Sequence, residues 1–564
     1  MNEFMHSLQG IQELLQNSFR TSIPFLKSKD GLVLLGSVAF LFFLSNSKKV
    51  NSKNKLATSR FGGKAEFSAA RKLAREQMKG KKHNQVALQI GEPRKGLFGL
   101  DDSKTLYFPS VQRGVLAVGQ PGSGKTYSAL EPQIRSAIRQ GFPILLYDFK
   151  YPDMAEGLAG YAALHNYKIS VFAPGYEESS IVNILDFMKS HEDAETARQL
   201  AEVIMKNFSM GNKERGDNFF SEAGNQLVEA ILMLAKDTTF PDIIMAHKLL
   251  SLENLPVRLR IANLNPWIDA SFSQLMSLTE SEKTVASIVG TAIRFFTRFM
   301  KPKILNAFCG KTTLPLKLEG RQLVVIGMDR NLRDVMGPLI ASTIHMIVIK
   351  NLMQKRKDPL IVALDELPTI YLPDLVKWLN ELRSAGFIGL LGAQNIAQLE
   401  AAYGKEIARA LRAAVATKFY FNPGDEESAE IFSKSLGDKQ VDFSSKSRGT
   451  SAGKGSQNIS DQHQARRLFE PAQFLRLETG SCIITGPGLK HNREVSIPVQ
   501  QRIIIPEWEM REVERSKEAY KRIRAKLIEK NSLSAITAEH LMLRKLKAEA
   551  LYPAPEPEEA EEKY

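Results

Sequence analysis

The chain has 564 residues, 43% apolar and 24% charged. Those are ordinary globular values, which exclude wholesale disorder, a collagen repeat and a polytopic transporter. The length allows two or three domains, and with only Cys309 and Cys482 there is no disulfide framework and no cysteine zinc site. The net charge of +14 is local: 12 Lys and Arg fall between Lys48 and Lys82 against Glu66 and Glu76, and the rest of the chain is close to neutral.

At the N-terminus, Met5, Leu8, Ile11, Leu15 and Phe19 recur at helical spacing. They predict an interfacial amphipathic helix or, equally, a packing surface. Gly31–Leu44 is apolar and uncharged, and Ser45, Asn46 and Ser47 lengthen the uncharged stretch to 17 residues. That is short for a span, and a buried core helix is the alternative. The basic block that follows is what the cytoplasmic flank of a membrane helix carries, and it can also hold anionic headgroups. We expect an amphipathic segment and one membrane helix over 1–47, then a basic juxtamembrane linker over 48–84 with the bulk of the chain in the cytoplasm.

Eight short apolar runs follow as candidate strands: Val115–Val118, Pro143–Tyr147, Ile169–Phe172, Leu323–Gly327, Leu360–Leu364, Phe387–Leu391, Lys418–Phe421 and Ser481–Thr485. Helical patterns separate most of them, which predicts an α/β domain with a mostly parallel sheet. Residues 190–312 carry almost no strand signal and read as an all-α domain inserted into it. The α/β domain is therefore expected in two parts, 85–189 and 313–506. Phe443–Gln464 is rich in Ser and Gly and reads as a mobile loop or loose hairpin. From 507 to 564 the chain reads as a charged helical extension ending in an acidic, proline-rich tail.

One motif carries chemistry by itself. Gly119, Gln120, Pro121, Gly122, Ser123, Gly124, Lys125 and Thr126 match G-x-x-x-x-G-K-[ST], between an apolar strand and a helical pattern. The glycines let backbone N–H groups face phosphate oxygens, and the helix N-terminus adds a favourable dipole. Lys125 would reach the β- and γ-phosphates of ATP, and the Thr126 hydroxyl would bind Mg2+. The run Leu360–Leu364 ends in Asp365 and Glu366. Asp365 is placed to hold the Mg2+ shell, and Glu366 to orient and deprotonate water for attack on the γ-phosphate.

Three further positions stay open on spacing alone. Gln394, after the next strand, either touches the γ-phosphate or attacking water, or caps the strand end. Arg383 is either an arginine finger acting across a ring interface or a surface arginine. Asp148 either lines the nucleotide cleft or caps the following turn.

Residues 363–404, from ALDELP to AAYG, closely resemble the Walker B-to-glutamine block of type IV secretion coupling proteins, the TraD/TrwB-like conjugation ATPases. Segments 60–74, 145–155, 173–187 and 216–232 resemble other stretches of that family in the same order. The resemblance implies a RecA-like P-loop NTPase domain with an all-α domain and a membrane anchor. It also implies a homohexamer in the bacterial inner membrane that recruits relaxase–DNA complexes or effector proteins to the other channel components. Gln394 falls on the family's glutamine, and Arg383 on the arginine for which a finger in trans is proposed.

A DNA pump of the FtsK/HerA kind is a related alternative, and a receptor whose assembly is set by ATP, without threading cargo, is a more distant one. Lys446, Arg448, Lys454, Arg466 and Arg467 would line a pore in a ring or else belong to a solvated loop. DNA binding through them would be sequence-independent and salt-sensitive.

Overall fold

Strand-length runs that are continuously apolar suit a sheet covered on both faces. The computed structural model describes residues 58–80, 84–96, 99–210, 218–277, 281–451, 454–531 and 535–554. All eight expected runs are strands in one nine-stranded sheet. They are β1 (Val115–Val118), β2 (Ile144–Asp148), β3 (Lys168–Phe172), β4 (Gln322–Gly327), β5 (Leu360–Leu364), β6 (Phe387–Ala393), β7 (Thr417–Tyr420) and β8 (Ser481–Thr485), joined by an edge strand β9 (Val499–Arg502). The order across the sheet is β9-β8-β7-β1-β6-β5-β2-β4-β3. The seven strands from β7 to β3 run parallel, and β8 and β9 are antiparallel additions. Strand β9 reads Val-Gln-Gln-Arg, with no apolar run or alternation to announce it.

Side chains of successive strand residues point to opposite faces. Val115, Ala117, Ile144 and Leu146 pack on one side under helices Glu131–Gln140 and Asp153–Leu164. Leu116, Val118, Leu145 and Tyr147 face the other side, in a core continuous with that of the helical region. That region holds eight helices between Ala194 and Phe308 and no strand among its described residues. Helix Arg333–Leu352 lies in the same core. It is long and apolar enough to cross a membrane, yet 83% of its apolar window is buried inside the protein, which makes it a core helix.

One segment differs from expectation, and the C-terminal extension, helical as expected, adds to it. The basic stretch read as a linker contains helix Lys64–Gly80, whose Ala70, Ala74 and Gln77 are buried. Arg71 and Arg75 converge on Asp102, so part of the basic charge is neutralised by docking. The C-terminal helices also pack back on the protein. Helix Glu507–Asn531 lies on helix Asp153–Leu164 so closely that a Cβ at Gly160 would collide with the Ser516 backbone. The second, Ala538–Leu551, is tied to the helical region by a buried Arg544–Asp242 ion pair at 2.6 Å.

The Ser/Gly-rich segment takes the hairpin alternative, with strands Asp438–Ser451 and Lys454–Arg467 paired to each other. Its residues 438–466 form a unit separate from the main body, and Thr58 bridges to Lys439 within it. The expected amphipathic helix, the membrane span within 1–47 and the acidic tail from 555 onward lie outside the described residues.

Candidate functional site

The loop Gly119–Thr126 leaves the C-terminal end of β1. The Gly119 N–H donates to Ala393 O (3.1 Å) and the Gln120 N–H to Asn422 O (2.8 Å), tying the loop to the ends of its neighbours β6 and β7. Gly122 and Gly124 sit at φ +80° and +92°, a conformation that glycine reaches without a Cβ penalty. At Gly124 a side chain is doubly excluded, because a Cβ would lie 3.0 Å from Gly480 N. The turn before β8 braces the loop from outside: the Thr479 hydroxyl donates to Gly122 O (3.0 Å) and the Gly480 N–H to Ser123 O (2.9 Å). Lys125–Leu130 form one π-helical turn that runs into helix Glu131–Gln140. Such turns concentrate at functional sites.

Strand β5 delivers the carboxylates. Asp365 and Glu366 are 7% and 5% exposed. The Thr126 hydroxyl donates to Asp365 Oδ1 at 3.1 Å, and Lys125 Nζ to Glu366 Oε2 at 3.1 Å. Gly392 on the intervening β6 makes room, since a Cβ there would lie 3.2 Å from Asp365 Oδ1 and 2.9 Å from Leu130. Burial raises the Asp365 carboxyl above its ordinary range, with Lys125 opposing and Glu366 adding to the shift. An adjacent cation reverses that tendency. Glu366 turns the chain at φ +61°. Its Oε1 and the Ser123 Oγ are buried without a hydrogen-bond partner. Buried polar atoms left unsatisfied beside a glycine cradle fit a phosphate-bearing ligand and its water.

Among the described residues no cluster of three His, Cys, Asp or Glu side chains could hold a metal alone. Thr126 and Asp365 would share Mg2+ with phosphate oxygens and water, the usual habit of that ion.

Gln394 follows β6 and lines a pocket of about 370 Å³ together with Glu366, Thr369 and Arg333. Its Oε1 accepts from Gln398 Nε2 at 3.3 Å, and the next residue caps a helix: Asn395 Oδ1 accepts the Gln398 N–H at 2.8 Å at the start of helix Ile396–Tyr403. Asp148 is a cap. It is fully buried, and its oxygens accept the N–H groups of Lys150, Met154 and Ala155 at the start of helix Asp153–Leu164.

Arg383 is not brought to this cluster. It sits exposed in the turn before β6, whereas Gln394 follows the other end of that strand. Seven extended residues put the two ends roughly 20 Å apart. The ribbon strands carry Lys446, Arg448, Lys454 and Arg466, and Arg467 lies 3.6 Å from Glu430.

Arg333 and the Thr479-Gly480 turn were not singled out in the sequence. A signal existed for Arg333, because it opens a helix, where the dipole disfavours a cation.

The family described as type IV secretion-system coupling protein DNA-binding domain matches residues 105–497. Over 153 residues the chain is 30% identical to the coupling protein TraD of Escherichia coli (strain K12), an alignment spanning 26% of this chain and 21% of that protein. Plasmid coupling protein TrwB in complex with ADP and Mg2+ has a similar structure, with a TM-score of 0.53 at 16% identity over 74% of this chain and 94% of that one. TrwB with the ATP analogue ADPNP gives 0.52 at 17% identity over 70% and 86%. At such identities the likeness is one of fold, that of a RecA-like P-loop NTPase.

Proposed function

Because this chain belongs to the type IV secretion-system coupling proteins, we propose that it hydrolyses ATP to deliver DNA, protein or both to a secretion channel. The observation that carries this reading is the meeting of Lys125 and Thr126 with Glu366 and Asp365 at 3.1 Å, at the C-terminal ends of β1 and β5. Ligands bind at that end of open parallel sheets.

In this reading the loop N–H groups and Lys125 hold the phosphates. Thr126 and Asp365 would hold Mg2+, which would supply charge neutralisation when bound. Glu366 orients the attacking water and takes its proton, and Gln394 contacts the water or the γ-phosphate. Arg383, too far from its own site, serves the site of a neighbouring subunit in a homohexamer. The segment 1–47 anchors the assembly in the bacterial inner membrane with the bulk of the chain in the cytoplasm. Partners are relaxase or effector proteins, the other secretion-channel components, and DNA bound without sequence preference.

The test is ATP hydrolysis by the full chain, alone and with single-stranded or duplex DNA, at low and physiological salt. We expect hydrolysis that DNA stimulates at low salt and that Glu366→Gln abolishes. Turnover indifferent to DNA but raised by a relaxase or effector favours the receptor reading. No hydrolysis under any condition overturns the proposal.

A further inference from the structure

The loop after Glu366 is held from three directions. On the sheet side, Glu366 O accepts from the Thr369 hydroxyl (2.7 Å) and N–H (3.0 Å), and Thr369 Oγ1 lies 2.9 Å from the Tyr147 hydroxyl of β2. From helix Ile396–Tyr403, which follows Gln394, the Tyr403 hydroxyl donates to Ile370 O (2.9 Å) and accepts the Leu372 N–H (3.2 Å). Between those contacts sits Tyr371, and its main chain is held by the helical region. The Tyr371 N–H donates to Asn207 Oδ1 and its carbonyl accepts from Asn207 Nδ2, both at 2.8 Å.

Asn207 lies in the last turn of helix Ala194–Phe208 and is 8% exposed. Its second amide hydrogen donates to Val203 O at 2.8 Å in its own helix. The side chain therefore spends its donors and its acceptor on main-chain groups. The two bonds to Tyr371 form a closed pair that resists both sliding and rotation of the loop. A polar residue that only needed satisfying near a helix end would require no such pair. Glu366 stands at the start of this loop in a left-handed conformation that its surroundings must hold.

We propose that Asn207 is a positioning residue for ATP hydrolysis: through the Tyr371 main chain it ties helix Ala194–Phe208 to the loop that begins with Glu366. The inference rests on the reading of Glu366 as the residue that activates water. A shift of that helix, for instance on engagement of cargo by the helical region, then changes hydrolysis without contact with the nucleotide.

The experiment measures steady-state ATP turnover and the affinity of a fluorescent ATP analogue for the purified full chain. Asn207→Ala should lower kcat by about tenfold or more while affinity stays within about twofold, since small misplacements of a reacting group cost rate rather than binding. Asn207→Asp keeps the volume and an acceptor for the Tyr371 N–H but loses both donors, and should show the same split if the alanine variant fails to fold. Tyr371→Phe, which keeps the main-chain pair and the ring stacked on Tyr403, should turn over at the wild-type rate. An unchanged kcat in both Asn207 variants, or parallel loss of kcat and affinity, overturns the inference. Glu366→Gln runs beside them. If it is inert while Asn207→Ala is fully active, the inference alone fails; if it still turns over, the reading beneath it fails too.

Discussion

Lys125 and Glu366 form a buried ion pair, Nζ to Oε2 at 3.1 Å, with side chains 7% and 6% exposed. Each is the other's counter-charge, and in the proposed mechanism each is needed elsewhere, the ammonium on phosphate and the carboxylate on water. Substitution at the two positions should therefore divide binding from chemistry. Lys125→Ala leaves a buried carboxylate unpaired and should weaken ATP binding severely. Glu366→Gln keeps the shape of the site and should bind Mg-ATP normally while turnover falls about a thousandfold. Analogue binding measured beside phosphate release checks both.

In the proposed mechanism Asp365 and Thr126 would hold the metal. Hydrolysis should stop on chelation with EDTA and return with added Mg2+. Asp365→Asn should move the Mg2+ activation curve to concentrations about tenfold higher or more, the usual scale for losing a group that organises a metal shell. Titrating Mg2+ against turnover at saturating ATP measures it. An unshifted curve would place the ion elsewhere.

Arg383 lies at the far end of β6 from Glu366, so any role in hydrolysis must be played in a neighbour's site. Arg383→Ala should bind nucleotide normally and hydrolyse it poorly. Mixing Arg383→Ala chains with Glu366→Gln chains should restore part of the activity, because some interfaces then pair an intact arginine with an intact glutamate. Mixtures as inactive as either parent would argue against action in trans.

Two histidines weaken the fold as pH falls. Burial pushes the imidazoles of His247 and His345 down to about 4, with Lys248 adding to the effect at His247 and Asp374 opposing it at His345. His345 is 1% exposed beside Trp378, and its nearest carboxylate, Asp374, is 3.8 Å away. Both groups bind protons more readily when unfolded, near pH 6.5. Their contribution to stability is thus complete above about pH 6.5 and is lost as pH falls toward 4. Burial raises the carboxyls of Glu131 and Asp148 to about 7, and these gain stability over the same range, so the test is the comparison: between pH 7 and 5 the melting temperature of His345→Phe should fall less than that of the wild type. An equal drop in the variant would assign the acid sensitivity to other groups.

Much of the sheet was legible because a strand buried on both faces must be apolar along its length. The eight runs needed no knowledge of their neighbours, whereas β9 escaped notice because an edge strand with three polar residues carries no such signature. The Ser/Gly-rich ribbon was ambiguous for a related reason, since its composition favours turns while its pairing is decided between its own two strands.

At the site the division follows chain distance. The phosphate loop and the acid pair are each contiguous in the chain, though 241 residues separate Lys125 from Glu366. Each rests on local features, glycines that admit positive φ and a strand that ends in carboxylates, so each could be read from the sequence alone. The tertiary structure decided what depends on segments far apart. Strand order put β5 two places from β1, with Gly392 between them leaving room for Asp365. The end of β6 put Gln394 on the pocket lining, and the parallel direction of β6 carried Arg383 away from the site. Asn207 and Tyr371 stand 164 residues apart, and no spacing rule relates positions whose pairing arises only when a helix and a loop pack together.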